Sequence, residues 1–399
     1  MFVYLPALFV ILGVMSMIEQ LLVYAAKFII TAYTSILSPV LPSIKDKLDI
    51  TLTQVGIIVA FFSLSNSILQ PVWGWLEDHF SYYRPLLCSP LLVGVAIGSI
   101  GFVNNYWLLI LLLFIAGIGI SSFHPASFAY MAELKPNNRG MTVSILLLAS
   151  SLGFVVGPLA ITYFMSINGF QTFYLIMIPG ILVTLVLHLH SFKTINKLTK
   201  SHIITNRSWN FRNINKSIYV SFIYALAICI LSMNIFSFVP FILRESSQSM
   251  QITGIALSLF ALGSATGPII GIILAKRIGK NKVMLSSTML AMAFHAFFLT
   301  THHQYFLLGI LFFLGVFLMG SYSIIFEIAQ NQAGHYVATI SSILGGFLWG
   351  CGGVSTIVTA RFAEAFGLRH MMAGLMGLFL IILAINIHYL IQRNKLKTF

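Results

Sequence analysis

The sequence predicts an all-α polytopic membrane protein, with twelve transmembrane helices in two pseudo-symmetric six-helix bundles. Three observations carry that expectation. Of the 399 residues, 58% are hydrophobic and only 8% charged, against about 25% charged in a soluble domain. The apolar residues come in runs of about 20, the length that crosses a bilayer as a helix, where barrel strands would alternate over about 10. Positions in the first half also recur in the second at one fixed offset.

The runs fall at 22–43, 54–75, 85–103, 106–132, 140–164, 170–191, 217–243, 251–275, 283–300, 305–327, 336–360 and 371–392. In lipid every backbone polar group must be paired within its own segment, so each run is read as a helix. Connections are short except for 192–216, which separates six runs from six. The expected organisation is an apolar extension at 1–21, a first bundle at 22–191, a basic linker at 192–216 and a second bundle at 217–399. The linker holds Lys193, Lys197, Lys200, Arg207, Arg212 and Lys216 and no acidic residue.

Lys and Arg accumulate in cytoplasmic loops. With the linker inside, Arg84, Lys135, Arg139, the linker's six, Lys276, Arg277, Lys280, Lys282, Arg393, Lys395 and Lys397 are also inside. That is 16 of the 22 basic residues, against five outside (Lys45, Lys47, Arg244, Arg361 and Arg369), with Lys27 inside the first run. The expected location is the bacterial inner (plasma) membrane, with both termini in the cytoplasm. The net charge of +13 is thereby an orientation signal and an anionic-lipid contact rather than a nucleic-acid surface. The sequons at Asn206 and Asn215 lie in the same inside linker and carry no glycosylation meaning.

The stretch 2–18 is apolar, interrupted by Pro6 and followed by Glu19. It lacks the basic start and small-residue cleavage site of a signal peptide. An extra helix, an interfacial segment and an upstream start before Met15 or Met17 all remain open readings.

The repeat has an offset of 197, which relates Pro71 to Pro268, Gly74 to Gly271, Ser144 to Ser341 and Gly153 to Gly350. Two six-helix repeats with sites at their interface form the plan of many secondary transporters. Enzyme readings lack their motifs: there is no HExxH, no GxSxG, no phosphate-binding loop and no close carboxylate pair within the runs. Cys88, Cys229 and Cys351 are far apart in apolar runs and read as packing residues, not as disulfide or metal ligands. No cofactor or metal is expected.

The loop GWLEDHFSYYR at 74–84 resembles the signature loop of the major facilitator superfamily. Gly74, Asp78 and Arg84 match it, while Ser81, Tyr82 and Tyr83 depart from it. Gly74 allows close helix approach, and Asp78 is placed to accept from a helix N-terminus or an arginine and latch one state. The second-half counterpart, 275–282, keeps Gly279 but has Lys276 in place of an acid. Gly153, Gly157 and Pro158 resemble the antiporter motif of drug–proton exchangers, a spacing that also serves helix packing.

A closer resemblance covers 54–160 and 325–367, through ILQPVWGWLEDHF, FHPAS at 123–127, RGMTVS at 139–144, GFVVGPL at 153–159, GGFLWGCGG and AEAFGL. These strings are similar to the fosmidomycin-resistance branch of the superfamily. The resemblance implies the major facilitator fold, alternating access and proton-driven export of small amphiphilic compounds. An importer, or a dedicated siderophore or metabolite exporter, is the alternative. Phe28 and Ala32 stand where members often have a His and an acid, and Ala126 where many have an acid.

Ionisable groups inside a bilayer are costly and so mark candidate pathways. Lys27 is either a snorkelling interfacial lysine or a cation for an anionic substrate. His124, before Pro125, is either packed on a carbonyl that the proline frees or a proton carrier. Glu327, in the tenth run of the opposite half, is the third candidate, expected to share the central cavity with His124. The partners expected are a small-molecule substrate, protons as coupling ion and the lipid bilayer, with the protein acting as a monomer.

Overall fold

The computed structural model describes the backbone of residues 4–79, 83–134, 139–191, 216–301, 303–332, 340–341 and 343–395. Twelve of its helices are long and apolar enough to cross a membrane. In the first half they are α1 (Met17–Leu48), α2 (Leu52–Leu76), α3 (Arg84–Phe102), α4 (Tyr106–Met131), α5 (Met141–Asn168) and α6 (Phe170–Leu189). In the second they are α7 (Ile218–Glu245), α8 (Met250–Ile278), α9 (Lys280–Thr300), α10 (Gln304–Gln332), α11 (Ile343–Phe366) and α12 (Leu368–Ile387). Each expected run overlaps one of them, most with ends shifted by a few residues, and 336–339 at the start of the eleventh lies outside the described residues. The linker from 192 to 215 lies outside the described residues.

Two of the boundary differences have a plain physical reason. The apolar stretch ahead of α1 continues it without a break, as one helix from Tyr4 to Leu48. Pro39 and Pro42 sit inside that helix. At the other extreme, α11 runs to Phe366 and not to 360, because Arg361 and Glu364 stand on its exposed last turns and do not end it.

Chain reversals use residues that suit them. Gly279 (φ 91) and Gly367 (φ 90) join α8 to α9 and α11 to α12 in a backbone region that favours glycine. Thr51 caps α2 with a reciprocal box: its hydroxyl accepts from Gln54 N–H at 3.2 Å, and Gln54 Oε1 accepts from Thr51 N–H at 2.8 Å. Ser249 caps α8 with a single bond, its hydroxyl accepting from Ile252 N–H at 3.3 Å.

Glycines set the close approaches within each half. Gly153 and Gly157 of α5 lie on the backbone of α1, and a Cβ added at Gly157 would meet Ala32 O at 2.5 Å. In the second half, Gly263, Gly267 and Gly271 of α8 lie on the backbone of α10 at Phe312, Val316 and Gly320. Without a hydrophobic drive between helices in lipid, such small-residue contacts supply much of the packing.

The halves meet along α2 with α11 and α5 with α8. Thr356 Oγ1 donates to Gly56 O at 2.9 Å, and Gly254 packs on Pro158 O and Thr162. Polar bridges between the halves gather at the end where α1 finishes and α2 begins. Arg244 of α7 pairs with Asp46 of α1, Gln251 Nε2 donates to Ser166 Oγ at 2.9 Å, and Thr53 of α2 donates to Glu364 of α11.

Candidate functional site

The structure brings Lys27 and His124 together. Lys27 stands on α1 next to the buried Ala26, and it is 1% exposed. Ten residues separate it from Met17, placing it about 15 Å inside the start of that span. Its Nζ hydrogen-bonds His124 Nδ1. The ammonium also lies 4.9 Å from the centroid of the Phe128 ring and 5.9 Å from that of Phe123. Cation–π contacts of this kind contribute about 0.5–2 kcal/mol each, against a cost of several kcal/mol for burying a lone charge.

With Lys27 charged, its ammonium has donors and no acceptor, and Nδ1 is then the unprotonated nitrogen of a neutral ring. Protonating both groups would put two positive charges in contact in a low-dielectric interior. The pair therefore holds one proton charge between two side chains on different helices, and a second proton breaks the bond. His124 is half-buried, which leaves part of its ring open to whatever approaches. Its partner is Lys27, not the carbonyl freed by Pro125 that the sequence offered as an alternative.

The internal repeat gives this pair a counterpart. Adding 197 to Lys27 and His124 reaches Tyr224 and Ser321, both buried in the second half. Ser321 sits where α10 breaks between two helical pieces, Gln304–Gly320 and Tyr322–Gln332. Around it, Asn386 Nδ2 donates to Thr288 Oγ1 at 2.9 Å, and Tyr224 and Thr288 hydroxyls lie 3.3 Å apart. The same architectural position is cationic in one half and neutral in the other.

Glu327 does not join His124. It is exposed, and its Oε1 accepts from Lys280 Nζ at 2.8 Å, in a pair whose side chains are 48% and 41% exposed. Charged residues at a span end satisfy each other there, so the expected sharing of a cavity gives way to a surface ion pair. In the loop motif, Gly74 faces Pro125, with an added Cβ 4.0 Å from the proline Cβ. Arg84 is exposed. The side chain of Asp78 lies outside the described residues, as does that of Glu133. Gly153 and Gly157 form the α1–α5 contact described above, with Gly153 on Phe28 O setting the wall beside Lys27, while Pro158 O meets Gly254 of α8.

Three features escaped the sequence reading. Glu19 is 4% exposed, and Tyr130 Oη donates to its Oε2 at 3.0 Å. Glu364 binds across the halves. The Phe154 and Phe236 rings stack at 5.0 Å, one from each half. All three depend on long-range contacts, and only the charge of the two glutamates was a signal.

A family model described as Major Facilitator Superfamily matches residues 23–355. The chain is 24% identical over 375 residues to the uncharacterized MFS-type transporter YfnC of Bacillus subtilis (strain 168), covering 91% of this chain and 90% of that protein. It is 22% identical over 338 residues to the fosmidomycin resistance protein of Escherichia coli (strain K12), covering 83% and 82%. In structure it is similar to a bacterial homolog of the human lysosomal transporter Spinster in an inward-facing, unoccupied conformation. That likeness has a TM-score of 0.76 at 13% identity over 93% of this chain and 96% of that one.

Proposed function

This chain belongs to the major facilitator superfamily, and we propose that it exports a small amphiphilic organic solute from the bacterial cytoplasm by alternating access, coupled to protons. The transporter class and the multi-pass membrane location follow from the family. Direction, coupling and orientation are the proposal. The observation that carries it is the Lys27–His124 pair: two groups able to exchange a proton, on helices of one bundle, buried ten residues from the start of one span and seven from the end of the other. The charge bias of 16 to five supports termini on the cytoplasmic side. The end bridged by Asp46–Arg244 and Thr53–Glu364 is then external and shut.

In this reading the cytoplasmic side admits solute to the pair. A proton arriving from outside, in the alternate state, breaks the Lys27–His124 bond and so couples the return step to the proton gradient. One proton moving through 100 mV supplies about 2.3 kcal/mol, enough for roughly fifty-fold expulsion. The relative named for fosmidomycin resistance supports the outward direction. The test is efflux from cells carrying the protein, and uptake into inverted vesicles, over a compound panel. Collapse of both on adding a protonophore is expected, and uphill flux that survives it would end the coupling proposal.

A further inference from the structure

Among the described residues the buried cation Lys27 has no carboxylate in contact with it, and from this we propose that the transported solute is an organic anion. Its oxyanion head, a carboxylate, sulfonate or phosphonate, would meet Lys27 Nζ and the open face of His124, with its apolar part against Phe128. The proposal deepens the transport reading and rests on the same pair being the substrate element.

Three observations point the same way. First, the acidic residues within the twelve spans all lie near span ends. Asp46, Glu245 and Glu364 fall in the last three residues of α1, α7 and α11, Glu19 is the third residue of α1, and Glu327 is exposed on Lys280. Second, the positions of the other half related to Lys27 and His124 carry no countercharge, being Tyr224 and Ser321. Third, the contacts Lys27 does have are an imidazole and two aromatic faces. These solvate an ammonium but leave its charge uncancelled, so an arriving anion gains a full ion pair in a low-dielectric site. A lipophilic cation meets the opposite: a like charge, and no carboxylate to draw it in. The ring of Phe128 is half-buried, so an apolar tail has a surface to cover.

The experiment uses the purified full-length protein in detergent and three probes of one size: benzenesulfonate, benzyltrimethylammonium and benzyl alcohol. Binding is read by intrinsic fluorescence and by the unfolding midpoint. Saturable binding of benzenesulfonate alone is expected, weakened about tenfold or more by Lys27→Met and largely kept by Lys27→Arg. The unliganded unfolding midpoint of each variant reports whether it is folded. Preference for the cation, no saturable anion binding, or anion affinity unchanged in Lys27→Met would each overturn the proposal. Failure here is separable from failure of the transport reading. Anion binding without proton-driven flux removes coupling alone, whereas proton-driven expulsion of a cation removes only the anion.

Discussion

Glu364, near the end of α11, accepts two hydrogen bonds from Thr53 in the first turn of α2, from the backbone N–H at 2.7 Å and from the hydroxyl at 2.6 Å. The first turn of a helix has N–H groups without intrahelical acceptors and a partial positive charge. Thr51 and Gln54 satisfy each other there, and Thr53 is left for a ligand. The carboxylate that supplies it comes from the other half, so this contact must part whenever that end opens. Glu364→Ala is expected to favour the opened state by about 1 kcal/mol, roughly a fivefold shift, the contact being solvent-exposed. Spin labels at Asn104 and His303, exposed on opposite halves at that end, would report a longer distance component in the variant. An unchanged distribution would show that Asp46–Arg244 and the helix packing hold the end without Glu364.

How far the sequence reads depends on how local the cause is. Run length alone gave twelve spans, because a helix in lipid must satisfy its own backbone. The repeat offset gave two halves, and the same 197 residues lead from Lys27 and His124 to Tyr224 and Ser321. What was not legible is which side chains meet across helices. Nothing in the neighbourhood of Lys27 says that it reaches His124, 97 residues on, or that Tyr130 covers Glu19. Charge misled twice for one reason. Glu327 looked like a buried carboxylate because its run is apolar, yet α10 carries it to an exposed turn beside Lys280. Arg361 and Glu364 looked like a loop, yet they ride on α11.

The pair at the centre should separate coupling from passage. His124→Ala removes the acceptor for Lys27 Nζ, so uphill flux should fall to background while downhill exchange of the same solute persists. Lys27→Met should lower both, since it removes the cation itself. Glu327→Gln breaks only an exposed ion pair, a contribution of about 0–1 kcal/mol, and should leave flux near wild type. Uphill and exchange fluxes in proteoliposomes measure all three. Full uphill transport by His124→Ala would make the histidine a packing residue.

The α1–α5 contact leaves no room for side chains at its glycines. Gly157→Leu would drive a side chain into Ala32 O and Ser35, a destabilisation of about 1–3 kcal/mol or more. Gly309, with nothing within 4 Å of an added Cβ, serves as the comparison: Gly309→Ala should stay within about 0.5 kcal/mol. Unfolding midpoints in detergent would show whether the ranking holds. A Gly157→Leu protein as stable as wild type would mean that α5 can slide off α1 at little cost.

Orientation is the remaining prediction, and the structure bears on the residues that oppose it. Of the five basic residues counted outside, Lys47 donates to Gly101 O at 2.8 Å and lies 5.1 Å from the Phe170 ring centroid. Arg244 is paired with Asp46. These two cations have structural partners at that end and so need no cytoplasmic explanation. The inside set is different in kind: 192–216 alone contributes six cations and no acid, the pattern that retains a short loop in the cytoplasm. A reporter fused after residue 205 should therefore be cytoplasmic and one fused after Asn104 external. Replacing Lys193, Lys197, Lys200, Arg207, Arg212 and Lys216 with Gln should yield a mixed orientation at position 205. Reporters at 205 and 104 found on the same side would overturn the twelve-span topology, and both signals exchanged would invert the assignment of the shut end.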